Sequence, residues 1–254
     1  MVRKQSNDKM KTLKALFFLL PISLIGLSGC NKSGDCFTNT GAIIKEERRV
    51  GDFDSIDVRN YVNLILSQDS INKVVVEAGQ NIISGITTEV INHQLLIDNT
   101  LKCNWLRSYS KPTNVYISVN NLKKIYYLSS GNVTSTNILK SDVLKLDVWG
   151  GCGSIDLDLD VNQGFFVLHL GTVDITLHGN CSICSIYQGD FGIFHCKEMK
   201  TGYNYITNKG SNDCYINVWQ YLDATIGSIG NIYYTGNPDS VTTKINGAGQ
   251  LIHF

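Results

Sequence analysis

A glycine-centred turn followed by a strand of alternating apolar residues recurs through the second half of the chain. The apolar residue after each turn serves as a marker, and the markers are Val133, Ile155, Ile175, Ile193, Cys214, Ile232 and Leu251. Successive markers are 22, 20, 18, 21, 18 and 19 residues apart. A self-similar unit with a period near 20 residues indicates a repeat architecture, in which each unit packs against its neighbours in sequence.

The strands between the turns alternate strictly between apolar and polar residues. Residues 143–148 enter one turn and residues 155–159 leave it, with every second side chain apolar. This period of two is typical of a strand with one buried face. Further short strands are expected before the repeats, at residues 53–58, 62–66, 73–77, 94–97 and 115–119.

An antiparallel β-sandwich would also give short strands separated by turns. A sandwich, however, has no physical reason to repeat one turn seven times, whereas equivalent residues of a solenoid stack from rung to rung at about 4.8 Å. The sequence therefore predicts an all-β fold, a β-solenoid. Because Phe191 and Asn212 replace the usual second glycine of their turns, we expect a bulge within residues 190–215.

The amino terminus is typical of a bacterial lipoprotein signal peptide. Five basic residues precede an apolar run over residues 15–29, and the run is followed by Cys30. The small residues before Cys30 resemble the motif at which the signal is cut and the cysteine is lipidated. We therefore predict a signal peptide at 1–29, a flexible tether at 30–47 and a folded domain at 48–254. With Asn31 after the cysteine, an outer-membrane lipoprotein is expected, facing either the periplasm or the outside.

The charge of the mature chain argues against a nucleic-acid partner. Removing residues 1–29 leaves 17 basic against 21 acidic side chains. Phosphate binding needs clustered lysines and arginines, and the longest basic runs here are the pairs Arg48-Arg49 and Lys123-Lys124. We expect no nucleic-acid partner.

Two phrases of the sequence resemble a known bacterial family. Residues 50–58, Val-Gly-Asp-Phe-Asp-Ser-Ile-Asp-Val, resemble its opening, and residues 226–238 resemble its last phrase. The resemblance, over about residues 48–251, is to the autotransporter-adhesin head-domain family. It implies a single-stranded right-handed β-helix, often on a lipoprotein, with a role in cell-surface adhesion and no established catalytic residues.

Three groups of residues could carry chemistry, and none resembles a catalytic site. Asp156, Asp158 and Asp160 alternate on one strand and could bind Ca²⁺, but Thr176 and His178 take the equivalent places on the next rung, so a solvated strand face is favoured. The Cys-x-x-Cys pair at 181 and 184 lies in a strand-rich repeat rather than at a helix N-terminus. Seven cysteines besides Cys30 leave the disulfide pairing open. We expect no cofactor and no metal.

Exposed aromatic side chains suggest a binding face. The strand phase directs Trp149 and Tyr187 outward, with Trp219, Tyr221 and Tyr233 in later rungs. Aromatic rings in a row suit sugar rings or a protein partner, although isolated aromatic residues also shield turns.

These features predict a non-enzymatic envelope protein, anchored in the membrane through Cys30, that binds a cell-surface glycan or protein through a repetitive face. The unpaired strand edge at the end of a solenoid also predicts self-association into a homo-oligomer. Two alternatives stay open: a polysaccharide lyase or hydrolase on the same scaffold, and a periplasmic structural scaffold.

Overall fold

The computed structural model describes residues 39–102 and 113–254. Nine strands precede the long repeats: β1 (Ile43–Arg48), β2 (Ser55–Asn60), β3 (Asn63–Gln68), β4 (Lys73–Gly79), β5 (Ile86–Ile91), β6 (Gln94–Asn99), β7 (Asn114–Val119), β8 (Lys124–Ser129) and β9 (Val133–Ser135). Eight follow: β10 (Leu139–Gly151), β11 (Ser154–Leu168), β12 (Asp174–Gln188), β13 (Phe194–Asn208), β14 (Cys214–Ile226), β15 (Ile232–Thr235), β16 (Ser240–Ile245) and β17 (Leu251–His253). A short 3-10 helix lies at Ile83–Gly85.

The strands form a β-solenoid of about six turns, which confirms the predicted fold. Parallel pairing builds two stacks. The first stack runs β7-β3-β9-β11-β12-β13-β14-β15-β17, and the second runs β6-β2-β8-β10-β11-β12-β13-β14-β16. Each of β11 to β14 contributes its first half to the first stack and its second half to the second stack, with a corner between the halves.

The stacked markers follow the predicted period, with one correction. Six of the seven predicted markers lie in one column of the first stack, but Phe194 rather than Ile193 pairs with Ile175. Because Leu168 pairs with Gln188, the turn before Phe194 (residues 189–193) holds one residue fewer than the turn before Ile175 (residues 169–174). All the column members from Val133 to Ile232 are buried.

The first rungs do not stack in chain order. The β2-β3 rung lies between the β6-β7 rung and the β8-β9 rung, because β2 pairs with both β6 and β8 and β3 pairs with both β7 and β9. The predicted short strands are present as β2, β3, β4, β6 and β7. Their order in the stack was not readable from the sequence, since these strands carry no repeated turn.

Antiparallel strands close the N-terminal end of the solenoid. Strand β4 pairs with β7, β1 pairs with β4, and β5 pairs with β6. Strand β1 lies in the stretch predicted as a flexible tether, residues 30–47, so the folded part begins before Arg48. Residues 30–38 of that stretch, and the whole predicted signal peptide, lie outside the described residues.

The inward residues of both stacks form one continuous apolar core. The strands alternate between buried and exposed residues, as the period of two predicted. Polar exceptions include Gln188 and Asn208, which stack on each other and are fully buried. The Asn208 amide Nδ2 donates to the carbonyl oxygens of Asn212 (2.9 Å) and Asn231 (3.2 Å), so its hydrogen bonds connect two successive turns.

Three register shifts interrupt the stacking at the corner, and two of them lie within the predicted 190–215 range. They fall between Thr176 and Gly179, between Cys196 and Lys200, and between Thr201 and Tyr203. The prediction of a bulge is confirmed, but the bulge lies at the corner rather than in the turns. Within the described ranges, no helix has the length and apolar character needed to cross a membrane.

Candidate functional site: an aromatic face and a corner groove

The outward side of the second stack carries a cluster of large side chains from successive rungs. Pairing places Ile183, Tyr203 and Tyr221 in one column and Phe165, Ser185 and Tyr205 in the next. We call the outward group on β11 to β14 the aromatic face: Phe165, Ile183, Tyr187, Tyr203, Tyr205 and Tyr221. The inward partners of these residues are buried, so the alternation of the strand fixes the direction in which the rings project.

The rings of the aromatic face lie close enough to form a continuous surface. The centroid of Tyr221 is 6.5 Å from that of Tyr203 and 5.8 Å from that of Tyr205, with tilted planes. A depression of about 260 Å³ lies between Tyr187 and Tyr205. Tyr203 and Tyr205 are 44% and 43% exposed, so a ligand ring can reach part of these rings, whereas Lys145 and Lys209 lie over the rings of Phe165 and Tyr187.

A β-bulge borders the aromatic face at the corner. Thr201 pairs with Val218 and Tyr203 with Tyr221, so Trp219 and Gln220 together lie opposite the single residue Gly202. A bulge of this kind bends the strand and redirects side chains. Here it directs Trp219 outward, with 49% of its surface exposed.

Gly202 lets neighbouring strands approach closely at the bulge. A Cβ atom at this position would lie 2.9 Å from the carbonyl oxygen of Ser182 and 3.0 Å from Oε1 of Gln220. A larger residue here would therefore press against the backbone of the preceding rung and the side chain of Gln220. Gly202 lines the corner groove, a cavity of about 620 Å³ whose wall includes Ile183, Tyr203 and Trp219.

The polar groups of the corner groove are mostly neutral. Asn162, Asn180, Ser182 and Gln220 line it, and Lys200 is the single charged residue among the described residues that do so. Amide and hydroxyl groups both donate and accept hydrogen bonds. The groove therefore combines exposed rings with paired donors and acceptors, the composition that a ligand with apolar ring faces and many hydroxyl groups requires.

Buried polar groups hold the floor of the corner groove. The Thr201 hydroxyl donates to the Asn217 carbonyl oxygen (2.7 Å) and accepts from Nδ2 of Asn204 (3.2 Å). Asn204 is fully buried, and its Oδ1 has no hydrogen-bond partner in the protein. These contacts join β13 to β14 at the bulge and fix the position of the groove wall.

A second, polar lobe continues the corner groove toward earlier rungs. It has a volume of about 600 Å³ and shares Asn162 and Ser182 with the first. Lys140 and Asp160 form an ion pair there at 3.8 Å, and Asn162 Nδ2 donates to Asp142 (3.1 Å). The two lobes together follow the solenoid axis across several rungs, each about 4.8 Å apart, so they can accommodate a ligand longer than one sugar ring.

The four predicted face residues divide between neighbouring parts of this surface. Tyr187 and Tyr221 belong to the aromatic face, and Trp219 lines the corner groove. Trp149 lies near the C-terminal end of β10, where its ring stacks on His169 with centroids 3.9 Å apart. His169 in turn lies 6.1 Å from Tyr187, so Trp149 and Tyr187 are linked through a histidine that the sequence analysis did not single out.

Tyr233 lies on a different surface from the other predicted aromatic residues. It stacks on Tyr215 at 5.1 Å, and Tyr215 stacks on His195 at 5.7 Å, all on the outward side of the first stack. This ladder runs along the rungs with near-parallel planes of 14° and 6°. It has no neighbouring groove among the cavities described above.

Sequence reasoning missed Tyr203, Tyr205 and Phe165. The signal was available for the two tyrosines, since Tyr203 and Tyr205 alternate with Asn204 and Ile206 and so share an outward phase. The groove itself had no sequence signal, because it depends on two residues of β14 facing one residue of β13.

The other predicted groups are placed without forming a catalytic cluster. Asp156 pairs with Thr176 and Asp158 with His178, the equivalences predicted from the repeats. His178 Nε2 is 3.1 Å from Oδ1 of Asp156. Within the described ranges, no three histidine, cysteine or acidic residues gather as metal ligands would.

The described cysteines are free thiols, and most are buried. Cys181, Cys184, Cys196 and Cys214 are buried and Cys152 is exposed. Burial raises the pKa of the Cys184 and Cys196 thiols, whereas a hydrogen bond with Cys184 lowers the pKa of Cys181. Cys30, the predicted lipid-attachment residue, lies outside the described residues, as do Cys36 and Cys103.

Solved structures share this fold over most of the chain. An adhesin described as putative from Bacteroides fragilis has a TM-score of 0.76 at 21% identity, covering 84% of this chain and 97% of its own. A putative lipid binding protein from Parabacteroides distasonis has a TM-score of 0.65 at 17% identity, with the same coverage. A putative adhesin from Parabacteroides merdae has a TM-score of 0.60 at 18% identity, again with 84% and 97% covered.

None of the curated proteins matches this chain. A family model matches residues 52–238, which include the aromatic face, the corner groove and every described strand except β1, β16 and β17. The family is adhesin-like, which suggests a protein of the cell surface or envelope. The chain belongs to the family described as "putative auto-transporter adhesin, head GIN domain".

Proposed function

We propose that this protein is a non-enzymatic adhesion module that binds a cell-surface glycan in the corner groove and on the adjoining aromatic face. The observation that carries the proposal is the bulge opposite Gly202, which directs Trp219 outward so that it lines the same cavity as Tyr203. Membership of an adhesin-like family supports the same class of function.

The chemistry of sugars fits the groove. One face of a pyranose ring consists largely of C–H groups and stacks on an aromatic ring, while the hydroxyl groups on its edge need donors and acceptors. Trp219 and Tyr203 offer the ring surfaces, and Asn180, Ser182 and Gln220 offer the polar partners.

The groove chemistry favours binding over catalysis. Glycoside hydrolysis uses a pair of carboxylates on either side of the scissile bond. Among the described residues, no carboxylate lines the first lobe of the corner groove, the one that contains Trp219. In the polar lobe, Asp160 is paired with Lys140 and Asp142 accepts a hydrogen bond from Asn162. The glycan is therefore held and released unchanged.

The test is a glycan array probed with the purified protein and with three variants. We expect Trp219→Ala and Tyr203→Ala each to weaken binding by about tenfold or more, because exposed aromatic anchors dominate small interfaces. Trp149→Ala is the matched control, since Trp149 is exposed to a similar extent (44%) but lies outside the groove. It should bind as the native protein does.

Four outcomes would overturn the proposal. Binding that only Trp149→Ala abolishes would place the ligand on the Trp149–His169 pair instead. Binding to matrix proteins on a parallel array, with no glycan bound, would indicate a protein ligand. Release of shortened sugars from a bound glycan would indicate a lyase or hydrolase, and no binding to either array would favour a periplasmic scaffold.

We also propose that Cys30 anchors the protein in the outer membrane. The basic n-region, the apolar run and the small residues before Cys30 support this location. In cells, a Cys30→Ser variant should leave the membrane fraction, and mass spectrometry should find acyl chains on Cys30 of the native protein. An unmodified Cys30 in a membrane-bound native protein would contradict the anchor.

A further inference from the structure

In the part of the chain that the structure describes, the C-terminal end of the solenoid is open. The last second-stack strand, β16, pairs with β14 alone among the described strands, and its residues are all exposed. Val241, Thr243 and Ile245 pair with the fully buried Leu222, Ala224 and Ile226. Their side chains therefore lie on the core side of the strand but are exposed to solvent, with 42% of Val241 and 53% of Ile245 exposed.

The N-terminal end of the solenoid is closed by contrast. The apolar residues nearest that end, Ile82, Ile83 and Ile86, are buried. The inward positions of β1 include Glu46 and Arg48, which pair with buried valines of β4 and form an ion pair at 3.3 Å. Inward-pointing charges are a known protection against edge-to-edge association. These charges protect the end of the first stack. At the same end of the second stack, the inward Ile86, Thr88 and Val90 of β5 are buried or half-buried, unlike the exposed inward residues of β16, so this end offers less uncovered apolar surface for a head-to-tail contact.

We infer that the open end is an interface with a second copy of this chain, joined tail to tail through antiparallel pairing of β16 with β16. A two-fold axis keeps each core side facing the other core only when inward residues oppose inward residues. Among the registers that meet this condition, the one with Thr243 on the axis pairs the two apolar residues with each other: Val241 faces Ile245 of the second copy, Thr243 faces its own equivalent, and Thr242 faces Lys244.

This register makes β16 complementary to itself. Val–Ile and Thr–Thr are favourable cross-strand pairs, and no two like charges lie opposite each other. The pairing also supplies partners for the unpaired backbone groups of the edge and covers the exposed apolar end. Because one end is open and the other closed, the assembly stops at two copies rather than growing into a filament.

The size of the interface sets its strength. The six residues of β16 extend about 20 Å, and the end of one rung is smaller than the roughly 800 Å² per partner of a standard interface. The dimer should therefore be reversible and depend on concentration. Two copies held together would present two corner grooves, which raises avidity for a repetitive glycan without any new contact.

Sedimentation equilibrium of the native protein tests the inference at concentrations from about 1 µM to about 1 mM, where an interface of this size associates. Two variants, Thr243→Lys and Thr243→Glu, each place like charges on the two-fold axis. Each alone should dimerise at least tenfold more weakly than the native protein. An equimolar mixture should recover the dimer, since Lys then faces Glu.

Ile71→Lys is the control, because Ile71 is exposed (64%) and lies on a surface remote in sequence from β16. It should dimerise as the native protein does. The inference would be overturned if the native protein stays monomeric at every concentration, whether or not a different protein binds at this end. It would also be overturned by Thr243 variants that dimerise normally, or by a mixture that associates no better than its components. None of these results bears on glycan binding.

Discussion

At the scale of single residues, Gly192 shows how closely the turns approach each other. A Cβ atom at this position would lie 2.0 Å from the carbonyl oxygen of Val173 on the preceding rung. The neighbouring backbone is held in place, since the Ile175 amide donates to the Ile193 carbonyl oxygen at 2.8 Å. We expect Gly192→Ala to lower the free energy of unfolding by about 1–3 kcal/mol, the usual range for an overpacked site, as measured by urea denaturation.

Gly51→Ala provides the matched control for that measurement. No atom lies within 4 Å of the position that its Cβ would take. The free energy of unfolding should change by less than about 0.5 kcal/mol, as for other unconstrained surface substitutions. If both variants lost the same free energy of unfolding, the close approach to the Val173 carbonyl oxygen would not be what requires glycine at position 192.

At the scale of elements, Glu77 of β4 connects β1 and β7 at the N-terminal end. Its carboxylate accepts hydrogen bonds from Asn114 (2.9 Å) and Tyr116 (2.7 Å) of β7 and pairs with Lys45 of β1 at 3.4 Å. The hydrogen bond from Asn114 is the largest of the causes that lower the pKa of Glu77. A lowered pKa in the folded state stabilises the fold above the ordinary glutamate pKa, and this stabilisation is lost as the pH falls through the lowered value.

Glu77→Gln should therefore lower the unfolding midpoint at pH 7 and weaken the loss of stability on acidification below about pH 5. Thermal unfolding followed by circular dichroism across pH 3 to about 8 measures both effects. Glu89→Gln, an exposed change on β5, serves as the control and should leave the profile unchanged. A Glu77→Gln profile parallel to the native one would contradict the assignment.

The elements also show what the sequence could predict and what it could not. Turn spacing and the period of two predicted the solenoid, and the same phase placed Tyr187 and Tyr221 outward. The insertion of β2-β3 between later strands left no trace in the sequence, because strand pairing there is decided by core packing rather than by repeated turns. The corner groove could not be predicted for a related reason. Trp219 points outward because two residues of β14 lie opposite one residue of β13, and a strict period of two does not predict such a bulge.

At the scale of the whole molecule, each rung is stabilised mainly by its two neighbours. Strands of the middle rungs, such as β12, pair on both sides, whereas β16 and β17 pair on one side. In a fold whose rungs contact only their neighbours, local unfolding requires the least free energy at an uncovered end. Hydrogen exchange at low protein concentration should be slowest in β12 and fastest in β16 and β17. Uniform protection along the stacks would contradict this view of the fold.

The central claim is that a glycan binds in the corner groove against Trp219. The chain contains three tryptophans, Trp105, Trp149 and Trp219, so a Trp105→Phe/Trp149→Phe variant leaves Trp219 as the only indole. Titrating this variant with a glycan from the array, while recording its fluorescence, tests the claim most directly. We predict a saturable change in emission at the same concentrations at which the native protein binds, and its loss when Tyr203→Ala is added. Glycan binding that leaves the emission of Trp219 unchanged would contradict the claim.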